Sequence, residues 1–183
     1  IPYTVGNYLA TQEPFTDINH SAFKKAVDNV KENINDLLSI KGNKTVDEIH
    51  KELGKVMWDY VGMSRSKKGL KKALNLIPKI RKDFYNNVNI PGESNEFNPE
   101  LEKAGRLIDF IDLGELMAID ALNREESCGG HFREEHQTEE NEAKRNDKDF
   151  AYVAAWEKEK EKHKLHKEKL IFKNVQLTTR SYK

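Results

Sequence analysis

Residues 98–133 read NPELEKAGRLIDFIDLGELMAIDALNREESCGGHFR, and this stretch decides the fold. Asn98 is a good helix N-cap, Pro99 suits the first helical position, and Glu100 and Glu102 complement the positive end of the helix dipole. Apolar residues then recur near helical spacing at Leu101, Ala104, Ile108, Ile111, Leu116, Ile119 and Leu122. A long amphipathic helix is expected, running up to a stop at Gly129-Gly130. Residues 124–133 then pack two glycines, a thiol, an imidazole and charges of both signs into one short segment. Adjacent glycines let a backbone turn sharply and approach another surface. That density of polar groups marks a built interface or site, which a solvated loop does not need.

Three further helical patterns precede this one. The first covers about Asn19 to Leu38, with Phe23, Ala26, Val27, Val30, Ile34 and Leu37 in its stripe. Asp17 or Asn19 would cap its start, and Gly42 lies just beyond its end. The second opens with a capping box at Thr45-Val46-Asp47-Glu48, carries Ile49, Leu53, Val56, Met57 and Tyr60, and stops at Gly62. The third begins after Ser66 and carries Leu70, Ala73, Leu74, Ile77, Ile80 and Phe84; Pro78 inside it predicts a kink or a restart. The expected fold is all-α, an antiparallel bundle of three to four helices of spectrin-like form over residues 19–127.

Past residue 127 the pattern changes, and 128–183 is expected to be a mostly irregular extension with short strands. Residues 134–148 are charged and aperiodic, and residues 151–156 are a short apolar run of either type. Residues 157–169 are mostly Lys, Glu and His, a composition that stays solvated in isolation. Leu170-Ile171-Phe172 and Val175-Gln176-Leu177 have the look of extended pieces before the basic end Arg180-Ser181-Tyr182-Lys183. Phe150, Tyr152, Trp156 and Phe172 are costly to leave wet, so this extension is expected to pack on something.

Composition excludes several function classes. The 183 residues hold 31 basic and 31 acidic side chains, so no excess of Lys and Arg exists to drive counterion release from nucleic acid. No apolar run approaches the roughly 18–20 residues needed to span a bilayer, so direct membrane insertion is not expected. The single cysteine, Cys128, cannot form an intrachain disulfide and fits a cytoplasmic setting. The chain opens at Ile1-Pro2 without a methionine, as expected of one part of something larger.

Several local patterns resemble chemistry. His131 and His136 flank two glutamates, but an inverted zinc motif needs its histidines four apart. Five apart rotates the second by roughly 140° on a helix. Cys128 beside His131 has the residue types of a nucleophile and base, without a sequence sign of the third group that would orient them. His163 and His166 lie in a solvated Lys/Glu run, and no glycine-rich dinucleotide fingerprint occurs. The 124–133 segment therefore points to an interface more than to a reaction centre.

On these residues the chain resembles a known family. Arg124, Glu126, Ser127, Gly129, His131 and Arg133, followed by Arg145, Asp147 and later Trp156, are similar to the C-terminal signature of succinate dehydrogenase and fumarate reductase flavoprotein subunits. Ile1-Pro2-Tyr3-Thr4 resembles the end of the helix leaving the FAD domain, and residues 57–62 resemble the first bundle helices. Leu107 to Leu122 resembles the last bundle helix, and the closing Arg-Ser-Tyr-Lys is shared by many members. Cys128 stands where many members have arginine, and Gly130 where many have alanine; the lost arginine removes a forked donor.

The resemblance implies a parent enzyme that interconverts fumarate and succinate through FAD and passes electrons to an iron–sulfur subunit. In the family FAD is held by an N-terminal Rossmann-type domain, through a histidine in most complex-bound members, and the catalytic arginines and histidine lie outside the region matched here. No catalytic, cofactor or metal residue is therefore assigned to this chain. Residues 1–18 are expected to be a linker remnant of the FAD domain, and Arg124, Glu126, Ser127, His131, Arg133, Arg145 and Asp147 to be interface residues. The implied partners are the FAD domain and the iron–sulfur subunit, at the cytoplasmic face of a bacterial inner membrane. A free-standing helical binding module is the alternative, and a metal-dependent hydrolase centred on His131 and His136 a third reading.

Overall fold

The structure, a computed structural model, describes residues 1–13, 17–159 and 162–178. Its helices are α1 (Pro2–Ala10), α2 (Ser21–Ser39), α3 (Val46–Val61), α4 (Lys67–Asn87), α5 (Pro99–Asn123) and α6 (Asp147–Phe150). Two strands follow, β1 (Tyr152–Glu159) and β2 (Lys162–Lys169). The three central helices run up, down and up. Lys72 lies over the Tyr60 ring while Lys44 and Asp83 pair at the far end, so α3 and α4 are antiparallel. Asp47 pairs with Lys103 and Gly114 meets Met57, so α3 and α5 run in the same direction.

The core is where these helices meet. Ile49 and Leu53 of α3, Leu70, Ile77 and Phe84 of α4, and Leu107 and Ile111 of α5 are all buried. Each such side chain contributes about 1.5–3 kcal/mol by leaving water. On α5 the buried row is Ala104, Leu107, Ile111, Gly114, Ala118 and Ala121, alternating steps of three and four. Gly114 in that row lets α5 approach α3 closely. A Cβ on Gly114 would stand 3.1 Å from Met57 Sδ. Leu116, Ile119 and Leu122, expected in this stripe, are only half-buried beside it.

Local signals set most helix starts. Thr45 Oγ1 accepts from the Glu48 N–H at 3.2 Å while Glu48 Oε2 accepts from the Thr45 N–H at 2.7 Å, completing the capping box. Ser66 Oγ accepts from the Gly69 N–H, and Asn98 Oδ1 from the Leu101 N–H. Pro78 causes no restart: α4 is one helix through it, packed on α3 and α5 along its length. Ahead of α3, the chain at Gly42 runs against residues 87–89; a Cβ there would fall 1.8 Å from the Asn87 carbonyl oxygen.

Three expectations are corrected. The cap of α2 is His20, whose Nδ1 accepts from the Ala22 N–H, because Asp17 is engaged with the Asn19 N–H. The stripe of α2 is not buried: Val27 is 51% and Val30 57% exposed, and only its end, through Leu37 and Leu38, reaches the core. α5 stops at Asn123, well short of Gly129-Gly130, because side chains from the following turn take its last carbonyls.

The strands also lie elsewhere than expected. The apolar run at 152–156 and the Lys/Glu/His residues after it form an antiparallel hairpin, from Tyr152 opposite Lys169 to Glu159 opposite Lys162. Residues 170–178 carry no regular element. The hairpin is tied to α5: Trp156 Nε1 donates to Asp120 at 2.7 Å, and Lys158 pairs with Asp112 at 2.9 Å. Asp112 also pairs with Arg81 of α4, so one carboxylate links two helices and a strand. The closing Arg180-Ser181-Tyr182-Lys183 lies outside the described residues.

Candidate functional site

The end of a helix leaves carbonyls with no intrahelical donor. Glycine usually closes such an end by entering the left-handed region. α5 does it with side chains. Arg133 Nη1 donates to the Ala121 carbonyl at 2.9 Å and the Leu122 carbonyl at 3.4 Å, and His131 Nε2 lies 2.9 Å from the Arg124 carbonyl. Two donors lying 7 to 12 residues downstream of these carbonyls therefore cap the helix, and a guanidinium beside its negative end is the favourable sign for the dipole.

The return of the chain is made at Cys128-Gly129-Gly130-His131. The Cys128 N–H donates to the His131 carbonyl and the His131 N–H to that of Cys128, with Gly129 at φ +58 between them. That conformation favours glycine. Ser127 holds the two arms together: its Oγ accepts from the Arg133 N–H at 2.8 Å and donates to the Arg133 carbonyl at 3.2 Å. Its own N–H donates to the Lys144 carbonyl.

Glu126 works outward from the same point. Oε1 accepts from Arg124 Nη1 at 2.7 Å, and Oε2 from the N–H of Asn146, the cap residue of α6. Arg124 also donates to the carbonyls of Tyr152 and Phe150 and lies over both their rings. Glu126, Ser127 and Arg133 are buried inside the chain itself. Among the described residues no buried side-chain N or O atom lacks a partner, so this network is complete.

Arg145 and Asp147 stand apart from that knot. Arg145 donates to Asp147 Oδ1 through two nitrogens, and its third reaches the Thr178 carbonyl, holding the end of the described tail. The expected interface residues thus fall into two groups, Arg124 to Arg133 around the helix end and Arg145 with Asp147 at the tail.

Residues that the sequence did not single out complete the site. Arg65, between α3 and α4, places Nη1 2.9 Å from His131 Nδ1 and anchors its Nε on the Val61 and Gly62 carbonyls. Its backbone brackets the turn: the Arg65 N–H donates to the Phe132 carbonyl, and the Glu134 N–H donates to the Arg65 carbonyl. Glu135 accepts from the Lys67 N–H at 2.6 Å, closing the start of α4, and from Arg133 at 3.1 Å. Burial raises the Glu135 pKa, but these bonds and the Arg133 charge carry it below the ordinary carboxylate value. Nothing in local spacing ties Arg65 to His131, which lie 66 positions apart.

This geometry bears on the chemical readings. Both nitrogens of His131 are engaged, by Arg65 and by the Arg124 carbonyl, so neither is open to a metal or to Cys128 as a base. His136 lines an open cavity with Glu125, Lys144 and Arg145. The arrangement is a structural knot that closes a helix and fastens an extension.

The comparisons with known proteins agree with one another. The family described as "Fumarate reductase flavoprotein C-term" matches residues 50–182. An uncharacterized FAD-dependent oxidoreductase of Methanocaldococcus jannaschii is 33% identical over 141 residues, covering 71% of this chain and 25% of that protein. The fumarate reductase flavoprotein subunit of Proteus vulgaris is 30% identical over 118 residues, covering 64% of this chain and 20% of its own. The chain thus spans a quarter or less of the curated relatives it matches. In fold, it superposes with TM-score 0.77 on a mutant FrdA chain of E. coli quinol fumarate reductase, at 22% identity, covering 93% of this chain and 28% of that one. The chain belongs to the fumarate reductase flavoprotein C-terminal family.

Proposed function

We propose that this chain is the helical and C-terminal part of a fumarate reductase or succinate dehydrogenase flavoprotein, whose parent interconverts fumarate and succinate through FAD. In this reading the chain supplies no catalytic group. It packs on the FAD domain and lies beside an iron–sulfur subunit, peripheral to the cytoplasmic face of the membrane. Among the described residues no helix is long and apolar enough to cross a bilayer.

The observation that carries the proposal is an apolar surface on the first two helices. Tyr8 is 63% and Leu9 62% exposed on α1, and Val27 and Val30 follow on α2. Val27 and Val30 lie three residues apart on one face of α2, and an exposed apolar helix face of this kind is what a docking surface offers. Arg145 and Asp147, at the surface, are assigned to direct contact with the FAD domain; Arg124, Glu126, Ser127, His131 and Arg133 fix the turn, whose Ser127 and Glu126 hold the backbone of Lys144 and Asn146 beside them.

The gene upstream of the Ile1 codon tests this directly. An in-frame domain with a glycine-rich FAD loop is expected, and a start codon immediately before Ile1 would overturn the reading in favour of a free-standing helical module. In the full protein, replacing Glu126 is expected to weaken flavin retention, because Glu126 joins Arg124 to Asn146. Purified alone, the chain is expected to show neither flavin absorbance nor fumarate reduction.

A further inference from the structure

We propose that Arg65, His131 and the Arg124 carbonyl form an acid-sensitive latch that holds the 124–133 turn against the connection between α3 and α4. The chemistry of the partners determines the state of the imidazole. A backbone carbonyl only accepts, so the Nε2 that lies 2.9 Å from the Arg124 oxygen carries a hydrogen. A guanidinium only donates, so the Nδ1 that lies 2.9 Å from Arg65 Nη1 carries a lone pair. His131 is therefore neutral, with its hydrogen on Nε2, whenever the latch is closed.

A second proton has one place to go, Nδ1, where it faces the Arg65 guanidinium. The bond then becomes two opposed donors and two like charges. The surrounding groups make this worse. Arg65 faces the ring from the α3–α4 connection, Arg124 from the end of α5, and Arg133 from the turn itself. The nearby carboxylates bond other groups, Glu126 with Arg124, Glu135 with Arg133, Glu134 with Ser64 and Asp120 with Trp156; the Asp120 charge acts on Arg65 and keeps that guanidinium charged. Burial and the three guanidiniums hold the His131 pKa below the ordinary histidine value, against the pull of the Arg124 carbonyl.

Opening the latch loosens a specific pair of backbone bonds. The Arg65 N–H to the Phe132 carbonyl, at 3.2 Å, and the Glu134 N–H to the Arg65 carbonyl, at 2.8 Å, lie on either side of the imidazole contact. The latch uses only residues of this chain, so it stands or falls independently of the parent enzyme's activity.

The test is a proton NMR titration of the histidine rings with amide exchange followed on the same samples, between about pH 4.5 and 8. The His131 resonance, assigned by its loss in His131→Asn, is expected to titrate below about 6.5. Protection of the Arg65 and Glu134 amides, corrected for intrinsic exchange, is expected to be lost with the same midpoint. In His131→Asn, where an amide oxygen can stand in for Nδ1 without titrating, that acid-dependent loss is expected to vanish. A wild-type midpoint at or above about 6.5, or equal loss of protection in His131→Asn, would overturn the latch. If that variant does not fold, Arg65→Gln decides instead. Removing the facing charge must raise the His131 midpoint, and an unmoved midpoint would overturn the proposal.

Discussion

The turn at 124–135 and the first two helices treat their chemistry in opposite ways. The turn is crowded with charges, yet each is matched, down to a buried arginine closing a helix. The first two helices carry few charges on their apolar stripes, and those stripes meet water. Burying a guanidinium is unfavourable unless it is fully bonded, and the turn meets that condition from within the chain. Burying valine is favourable, and α2 does not achieve it. One region is finished by its own residues, and the other, in the proposed reading, is finished by a partner. Substitutions in the first should therefore reduce the stability of this chain, and substitutions in the second should reduce only its association.

Removing Arg133 sharpens this contrast most. Arg133→Met keeps most of the apolar stem but takes the donor from the Ala121 and Leu122 carbonyls and the partner from Glu135. A loss of about 3 kcal/mol is expected, at the upper end for bonds made by charged groups. Denaturant unfolding measures it, and a loss below about 1 kcal/mol would mean that the turn is a surface feature. Ser127→Ala is smaller. It strands the buried Arg133 N–H, and about 1–2 kcal/mol is expected from the same unfolding curves.

Acid gives the next effect. The folded-state pKa of His131 lies below its unfolded value. The unfolded chain therefore binds the proton more readily, and stability rises with pH through this window. The contribution of His131 is whole above about 6.5 and is lost as pH falls through the lower folded value. Melting temperatures of the wild type and His131→Asn should diverge on acidification. Parallel curves would remove the turn's special status.

These contrasts also explain what was legible in the sequence. The starts of α3, α4 and α5 were readable because each depends on a side chain within three residues, as at Thr45, Ser66 and Asn98. The end of α5 was not. The Gly129-Gly130 pair looked like its stop, but Arg133 reaches back and closes the helix earlier. Residues 151–156 fitted helix or strand equally, and the second strand was hidden in a Lys/Glu/His run, because the anchors of the hairpin, Asp112 and Asp120, belong to α5. Periodicity located the apolar face of α2 correctly, but a period says which side is apolar, not whether anything covers it. In the site, His131 was singled out by residue type and Arg133 by the family resemblance. Glu135 was one of several carboxylates that specify nothing alone, and Arg65 became visible only once α3, α4 and the turn were placed together.

The smallest expected effect carries the sharpest test of the contrast. Val27→Ser and Val30→Ser together replace two half-exposed side chains on α2 by polar ones of similar helix propensity. In this chain alone the unfolding free energy should change by no more than about 0.5 kcal/mol, the range for surface positions. A stripe already packed within the chain would instead cost a kcal/mol or more, about the value of each buried aliphatic group removed. In the proposed full flavoprotein the same pair should weaken docking on the FAD domain, read as dissociation of the two parts after limited proteolysis between them. No change in either measurement would mean that the apolar face of α2 meets water in the proposed assembly as well. The docking surface would then lie elsewhere on the bundle.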